Sequence, residues 1–158
     1  MTSHHKKNVA FEPNHRLFCY GTLQIPAVLE AVIGRPLTGV RAYLPGYAPF
    51  QVRQAEYPGL VRSPGNATPG RLYRDATAAE IAVLDRFEGR LYRRRGQVVV
   101  MANGLRIQAW VYMVAAGRDK QVTATPWRLE RFLRTAYPRF MKRFVEARRA
   151  EYDLKTSG

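Results

Sequence analysis

Cysteine, acidic residues and long apolar runs are the three things that this 158-residue sequence has little of. With a single cysteine, Cys19, an internal disulfide framework is excluded, and the count fits a reducing compartment such as the cytoplasm. No apolar run is long enough to span a membrane, and the basic start, MTSHHKKNV, is not followed by the apolar segment of a signal peptide. We therefore expect a cytoplasmic protein with no membrane segment.

Acidic residues are outnumbered, because 26 Lys and Arg stand against 12 Asp and Glu, which gives a formal net charge of +14. Such an excess suits a nucleic acid or another polyanion as a partner. The sequence nevertheless has no zinc-ligand spacing, no recognition-helix signature and no RNA-binding aromatic motif. We favour a solvated basic surface, and a basic nucleic-acid-binding module remains an alternative that the charge does not exclude.

Histidine is also scarce, and all three histidines lie within residues 1–15. His15 has no neighbouring metal-ligand partners in the sequence, so we treat it as a surface residue and expect no metal site. Residues 1–15 are polar and predict a flexible leader. The remaining residues 16–158 have the length of one domain, and the 46% of apolar residues in the chain are enough for a core.

The middle of the chain consists of short apolar segments separated by turn residues, which predicts a curled antiparallel sheet or barrel. Asn103-Gly104 predicts a tight hairpin turn between two strands. Thr125-Pro126 predicts the start of a C-terminal helical extension over 125–152, which Pro138 divides. The predicted strands are 17–20, 40–44, 47–53, 57–62, 70–74, 97–101 and 105–114, with turns at Pro45-Gly46 and 63–66. The other predicted helices cover 26–33 and about 78–88, and the apolar stripe of the extension is Phe140, Met141, Phe144 and Val145.

A carboxylate lies on the apolar stripe of the helix predicted over 78–88. Thr77 and Glu80 form a capping box that begins this helix, and Gly89 is suited to end it. Glu88 follows Ile81 by seven residues and Leu84 by four, so it projects from the face that these aliphatic residues share. Burial there would raise the pKa of Glu88 and make it a usable general acid or base near neutral pH.

Two other readings of this helix stay open from the residues alone. The side chain of Glu88, in the last turn, could instead reach water or pair with Arg93 or Arg94. Asp85 lies near the same face and is the rival acid.

Two separated motifs resemble those of the γ-glutamylcyclotransferase-like family. Tyr20-Gly21-Thr22-Leu23 resembles the family's Tyr-Gly-(Ser/Thr)-Leu loop, and the run 84–93, LDRFEGRLYR, is similar to its Asp-x-x-Glu-Gly-x-x-Tyr-x-Arg block. The order and spacing of these segments make the resemblance specific over residues 16–114. The segments similar to connecting strands of the family are 44–47 (LPGY), 57–61 (YPGLV) and 69–73 (PGRLY).

The resemblance implies an α+β fold, a small mixed β-barrel with flanking helices, followed here by the C-terminal helical extension. It implies release of 5-oxoproline from a γ-glutamyl amine or γ-glutamyl amino acid, with Glu88 as the catalytic general acid and base and no cofactor. The substrate-binding residues that it implies are Tyr20, Gly21, Thr22, Leu23 and, on a late strand, Tyr112.

The residue types of the Tyr20–Leu23 segment suit that chemistry. Gly21 would let the backbone turn sharply, and the amides of residues 21–23 could then point together at an anion. A plain turn is the other interpretation of this segment taken by itself. For Tyr92 and Arg93 we favour structural roles.

Three hypotheses for the function follow. The first is a cyclotransferase that acts on a small γ-glutamyl substrate. The second is a member of the same fold that binds a small anion or performs other transferase chemistry, since a fold does not fix a function. The third is the nucleic-acid-binding module. The segment 115–158 does not resemble the family and could cover the barrel, form a homodimer contact or bind an anionic partner.

Overall fold

The computed structural model describes residues 15–156 of the chain. This range contains six strands and four helices. The strands are β1 (Leu17–Cys19), β2 (Gly39–Val52), β3 (Pro58–Tyr73), β4 (Tyr92–Met101), β5 (Arg106–Val114) and β6 (Val122–Pro126). The helices are α1 (Pro26–Ile33), α2 (Ala78–Glu88), α3 (Leu129–Thr135) and α4 (Tyr137–Thr156), with single 3-10 turns at Thr22–Gln24, Gly89–Leu91 and Asp119–Gln121. The predicted leader lies outside the described residues except for His15.

Five of the strands close into a mixed barrel. The sheet runs in the order β3-β1-β5-β4-β2, and β2 pairs again with β3, which completes the circle. Only the pairing of β1 with β5 is parallel, while the other pairings are antiparallel. The sixth strand, β6, pairs with β2 outside the barrel. The predicted α+β architecture of a small mixed barrel with flanking helices is therefore confirmed.

The core is built in layers on the two sides of β1. Phe18 packs inside the barrel with apolar residues of the other four strands, such as Leu72 and Val111. Leu17 and Cys19 face the opposite way and pack against α1 and Leu84 of α2. This alternation follows from the two-residue period of a strand, and it explains why β1 is buried throughout although it is only three residues long.

The helices begin and end largely where the sequence predicts. The capping box of α2 is present in both directions, with Glu80 N donating to Thr77 Oγ1 at 3.1 Å and Thr77 N donating to Glu80 Oε1 at 2.9 Å. Gly89 ends the helix with φ of +69°, a conformation that favours glycine. Pro138 separates α3 from α4, as predicted, because it lies in the first turn of α4 and Ala136 ends α3.

Two predictions about strands and helices were wrong. Pro45-Gly46 does not end a strand but forms an irregularity within the continuous strand β2, where the pairing shifts from Pro45↔Ala67 to Tyr47↔Arg62. Residues 63–66, predicted as a turn, are the unpaired residues opposite this point and remain part of β3. Bulges of this kind bend a strand, as closure of a barrel requires.

The second wrong prediction concerns Thr125-Pro126, which ends β6 instead of beginning a helix. Phe50 of β2 pairs with Pro126 there, and the helix α3 begins only at Leu129. Pairing with the available edge of β2 thus outweighs the preference of Thr125-Pro126 for the start of a helix. The apolar stripe of α4 packs on the helical side of the core through Phe140, Met141 and Phe144, while the side chain of Val145 lies outside the described part.

Candidate active site

A cavity opens where β1 leaves the barrel. The 3-10 turn after β1, the start of β3, the end of α2 and residues of β4 and β5 surround it. All six site residues that the sequence analysis names lie in its wall, although their catalytic and binding roles stay predictions. The lining residues are Phe18, Cys19, Tyr20, Gly21, Thr22, Leu23, Tyr57, Pro58, Glu88, Tyr92 and Tyr112.

Glu88 reaches this cavity because it is the last residue of α2 and shares a face with Ile81 and Leu84. Both aliphatic residues are buried against the core, which fixes the rotation of the helix about its axis. Gly89 then turns the chain away and leads into β4. The carboxylate is consequently directed into the molecule, and its remaining accessible surface faces the cavity.

The carboxylate of Glu88 has no hydrogen-bond or ion-pair partner within residues 15–156. Burial raises the pKa of this carboxyl group from its ordinary 4.5 to about 8, since the surrounding protein removes water from the charged form. The predicted alternatives of a water-exposed side chain or a pair with Arg93 or Arg94 are not what the structure shows. A carboxyl group with such a pKa can both accept and donate a proton near neutral pH.

Asp85, the rival acid, is placed differently. Its two carboxylate oxygens accept hydrogen bonds from Arg94 Nε at 2.9 Å and Arg94 Nη2 at 3.2 Å, and Oδ1 also accepts one from Tyr112 Oη at 2.7 Å. The guanidinium group of Arg94 in turn stacks 4.2 Å from the ring centroid of Trp110. Asp85 is thus engaged in a network of hydrogen bonds outside the cavity, whereas Glu88 is the acid that lines it.

The segment Tyr20–Leu23 forms the opposite wall as a 3-10 turn. The hydrogen bonds of this turn run from Gln24 N to Gly21 O and from Ile25 N to Thr22 O, both at 3.1 Å. They use the carbonyls of the turn and leave the amides at its start without a partner inside it. Amide groups presented in this way can donate to an anionic oxygen in the cavity.

Gly21 lies at a close contact between this turn and β3. Its φ of −106° is negative, so a left-handed backbone is not what glycine provides here. A Cβ atom at this position would instead lie 3.0 Å from Pro58 Cδ. The glycine therefore permits the close approach of β3 to the turn, at the point where both segments line the cavity.

Tyrosine side chains hold the cavity walls in place. Tyr20 Oη donates to Tyr112 O at 2.6 Å, and Tyr92 Oη donates to Pro58 O at 2.5 Å. Tyr73, beneath the turn, donates to the carbonyls of Leu23 and Gln24. Burial is the main cause that raises the pKa of Tyr20, Tyr92 and Tyr112, so their phenols stay protonated and act as hydrogen-bond donors.

Sequence reasoning missed Tyr57 and Pro58 as parts of the wall, and it weighed a place in the wall for Tyr92 but favoured a structural role. Tyr57 and Tyr92 lie with ring centroids 6.2 Å apart, and Tyr57 is 38% exposed at the mouth. The segments 57–61 and 84–93 were noted for their resemblance to family motifs, and this was the one signal for both tyrosines. Pairing of β3 with β2 and of β4 with β5 brings them together, which no local pattern in the sequence indicates.

The charged groups of the site are few. In the part of the chain that the structure describes, the cavity is lined by one carboxylate and by no Lys or Arg side chain. Across residues 15–156, no group of three or more His, Cys, Asp or Glu side chains lies close enough together to hold a metal ion. None of the described helices is sufficiently long and apolar to cross a membrane. The groups that the cavity presents are therefore a carboxyl group that can transfer protons, backbone amide donors and buried phenols.

Comparisons with known proteins agree with this architecture. Residues 17–129 match the model of the family described as "Gamma-glutamyl cyclotransferase, AIG2-like". Protein AIG2 A of Arabidopsis thaliana is 27% identical over 135 residues, which cover 85% of this chain and 77% of the relative.

Solved structures with the same fold include a solution structure of an Arabidopsis thaliana protein. It superposes with a TM-score of 0.65 at 26% identity and covers 90% of this chain and 95% of that one. The crystal structure of an AIG2-like protein from Mus musculus gives a TM-score of 0.59 at 21% identity, over 74% of this chain and 87% of that one.

Proposed function

Because the chain belongs to the gamma-glutamyl cyclotransferase, AIG2-like family, we propose that it releases 5-oxoproline from a γ-glutamyl amine or a γ-glutamyl amino acid. The observation that carries this proposal is the position of Glu88. An unpaired carboxyl group with a pKa of about 8 lies in the same cavity as the amide groups at the start of the 3-10 turn. The names of the relatives give no substrate, so the reaction rests on this geometry and on the family.

In the first step, the carboxylate of Glu88 takes a proton from the α-ammonium group of the substrate. The freed amine attacks the γ-carbonyl carbon of the same molecule, and a five-membered ring closes. The cavity favours this attack by holding the chain folded, because an attack within one molecule needs no second reactant to be captured. A buried site adds to the effect by excluding water.

In the second step, the tetrahedral intermediate collapses. Its oxyanion is stabilised by the amides of Thr22 and Leu23. The bond between the γ-carbon and the leaving nitrogen breaks as Glu88 donates its proton to that nitrogen. Glu88 then takes the second proton from the ring nitrogen and passes it to the released amine. The α-ammonium loses two protons in total, and both end on the departing amine, so Glu88 returns to its starting state. The balance requires no water, metal or redox cofactor.

The substrate's α-carboxylate needs a separate anchor, since no basic side chain in the described wall can pair with it. We assign this role to the hydroxyl group of Thr22 and the amide of Gly21. Thr22 is buried in the cavity wall, where a hydrogen bond to a charged group is stronger than in water. Tyr20 and Tyr112 complete the wall around the glutamyl portion.

The test is a panel of γ-glutamyl compounds that differ in the leaving amine, with chromatographic detection of 5-oxoproline. We expect release from at least one compound, and loss of release with Glu88→Gln. Glu80→Gln is the matched control, because Glu80 belongs to the same helix but pairs with Arg35 on the surface. Absence of 5-oxoproline with every compound, from a folded protein, would refute the proposal.

Binding of a polyanion is a second candidate function, favoured by one cluster of arginines. Four arginines from the 3-10 turn after α2, from β4 and from the loop after β5 surround a surface depression whose described lining contains no acidic residue. They are Arg90, Arg93, Arg95 and Arg118. An affinity for RNA or DNA that persists at physiological salt, and that charge reversal of Arg93 and Arg95 removes, would support this function. Binding that disappears at that salt concentration would contradict it.

A further inference from the structure

The C-terminal helical segment is tied to the loop that leads into the cavity wall. This loop, residues 53–57, joins β2 to β3, and its Glu56 reaches α4. Glu56 Oε1 accepts hydrogen bonds from Arg139 Nη2 at 2.9 Å and Nε at 3.2 Å, and Glu56 Oε2 accepts one from Arg143 Nη2 at 2.8 Å. Arg139 and Arg143 are one helical turn apart, so one carboxylate bridges both.

The main chain of the same residue is held as well. Trp127, between β6 and α3, donates from its indole Nε1 to Glu56 O at 2.9 Å, and its backbone N donates to Pro49 O at 3.0 Å. The indole ring is buried and packs 5.8 Å from the ring of Phe132 in α3. Glu56 is thus fixed through its side chain by α4 and through its carbonyl by the segment that precedes α3.

The loop also has a backbone conformation that needs support. Gln54 has φ of +57°, a left-handed conformation that residues other than glycine adopt at a cost in free energy. Arg53 N donates to Gln121 O, so the 3-10 turn before β6 holds the start of the loop, and Val52 N donates to Tyr57 O at 3.1 Å, which joins the two ends of the loop. A strained loop of this kind keeps its shape only while its surroundings restrain it.

The residues that follow Glu56 form the mouth of the cavity. Tyr57 is exposed, whereas Pro58 beside it is buried and receives the hydrogen bond from Tyr92. A γ-glutamyl group that places its reacting carbons between Glu88 and the 3-10 turn must direct its leaving group toward the open side of the cavity. Tyr57 is the large side chain available to contact the leaving group there.

We propose that α3 and α4 position Tyr57 through Glu56, and that this position decides which leaving groups the cavity accepts. Only the second part of this inference, the choice of leaving groups, rests on the proposed function. The basic residues Arg139 and Arg143 of the C-terminal extension thereby act as positioning residues for the active site, not as part of a separate module. The two ion pairs are partly exposed, so their effect on the loop is modest but measurable.

The first test compares a double variant, Arg139→Gln with Arg143→Gln, with the wild type and with the control Arg35→Gln. The control removes an ion pair of comparable distance, between Arg35 and Glu80, away from the cavity. Two substrates are used, γ-glutamyl methylamide and γ-glutamyl phenylalanine. We expect the KM for the phenylalanine compound to rise about two- to tenfold relative to that for the methylamide, with kcat changed less than about twofold. Equal changes for both substrates would overturn the inference.

The second test needs no activity and separates the inference from the proposed function. Hydrogen–deuterium exchange of residues 53–57 is measured in the same three proteins by mass spectrometry. We expect exchange in this segment to be about two- to tenfold faster in the double variant and unchanged in the control. Unchanged exchange in the double variant would overturn the positioning role, whether or not 5-oxoproline is released.

A single variant, Glu56→Gln, covers the case in which the double variant does not fold. It removes the charge but keeps the side-chain length, and it leaves both arginines on the surface. Faster exchange of residues 53–57 together with the altered KM ratio supports the inference, and wild-type values of both overturn it.

Discussion

The raised pKa of Glu88 makes a prediction about stability that is independent of catalysis. A carboxyl group with an ordinary pKa of 4.5 ionises in the unfolded chain once the pH passes that value, while the folded chain keeps its proton until about pH 8. Between these values the folded state binds one more proton than the unfolded state. Its free energy of unfolding must therefore fall as the pH rises through this window, and level off above it.

The size of the effect follows from the two pKa values. Each tenfold change in an acid constant is worth about 1.4 kcal/mol. The contribution of Glu88 to the free energy of unfolding should decrease by about 3 kcal/mol between pH 5 and pH 8. Glu88→Gln cannot ionise and is close in shape to the protonated acid, so it should lack this loss. We therefore compare the free energy of unfolding of Glu88→Gln with that of the wild type at each pH. From pH 5 to pH 8 this difference should shift by about 3 kcal/mol in favour of the variant.

The assay is urea unfolding of the wild type and of Glu88→Gln at pH 5, 6, 7 and 8, followed by circular dichroism. The quantity compared is the difference between the two proteins at each pH, because all other titrating groups are common to both. Glu80→Gln is the control. The ion pair with Arg35 holds the pKa of Glu80 below its ordinary value, so its difference from the wild type should not change above pH 5. Parallel curves for wild type and Glu88→Gln from pH 5 to pH 8 would show that Glu88 is not desolvated.

Three further substitutions test two residues of the cavity wall and the packing of β3 against β1. Gly21→Ala brings a Cβ atom to 3.0 Å from Pro58 Cδ, so we expect the KM to rise severalfold while thermal unfolding shifts little; an unchanged KM would contradict the close contact. Tyr112→Phe removes the hydrogen bond to the carboxylate of Asp85 in α2 and should lower the free energy of unfolding in urea by about 1–2 kcal/mol. A free energy of unfolding equal to that of the wild type would contradict this role. Gly70→Ala places a Cβ atom against the carbonyl oxygen of Cys19. We expect it to lower the free energy of unfolding by about 3 kcal/mol or to prevent folding. A decrease below about 0.5 kcal/mol would show that the barrel adjusts there.

Local signals in the sequence were sufficient for the elements that local physics determines. The capping box at Thr77, the glycine after Glu88 and the spacing of Ile81 and Leu84 predict both the bounds of α2 and the direction of its last side chain. The structure has them as predicted. The same holds for α1, which runs from Pro26 to Ile33 and ends at Gly34. These features depend on residues within one or two helical turns of each other.

Features that depend on distant pairing were not accessible in the same way. Pro45-Gly46 has the composition of a turn, yet the pairing of β2 with β3 on both sides of it keeps the strand continuous. Thr125-Pro126 has the composition of a helix start, but the edge of β2 takes it into a sheet. The hydrogen bond between Tyr112 and Asp85 likewise depends on β5 lying next to α2.

The candidate site shows the same division. The resemblance of two motifs names Glu88 and the Tyr20–Leu23 segment, and the fold places both around one cavity. The connection of Glu56 to α4 consists of contacts between residues more than 80 positions apart. No sequence pattern of this chain indicates such contacts, so only the three-dimensional arrangement could reveal them.

The central claim is that Glu88 moves the protons of a cyclisation, and one measurement tests it most directly. The rate of 5-oxoproline release from the best γ-glutamyl substrate is followed from pH 6 to pH 9 for the wild type, Glu88→Gln and Glu80→Gln. We predict that kcat/KM of the wild type and of the Glu80 variant rises with pH and levels off above about pH 8, where Glu88 ionises. Glu88→Gln should release no 5-oxoproline above background at any pH. Release by Glu88→Gln at a rate near that of the wild type would contradict the claim.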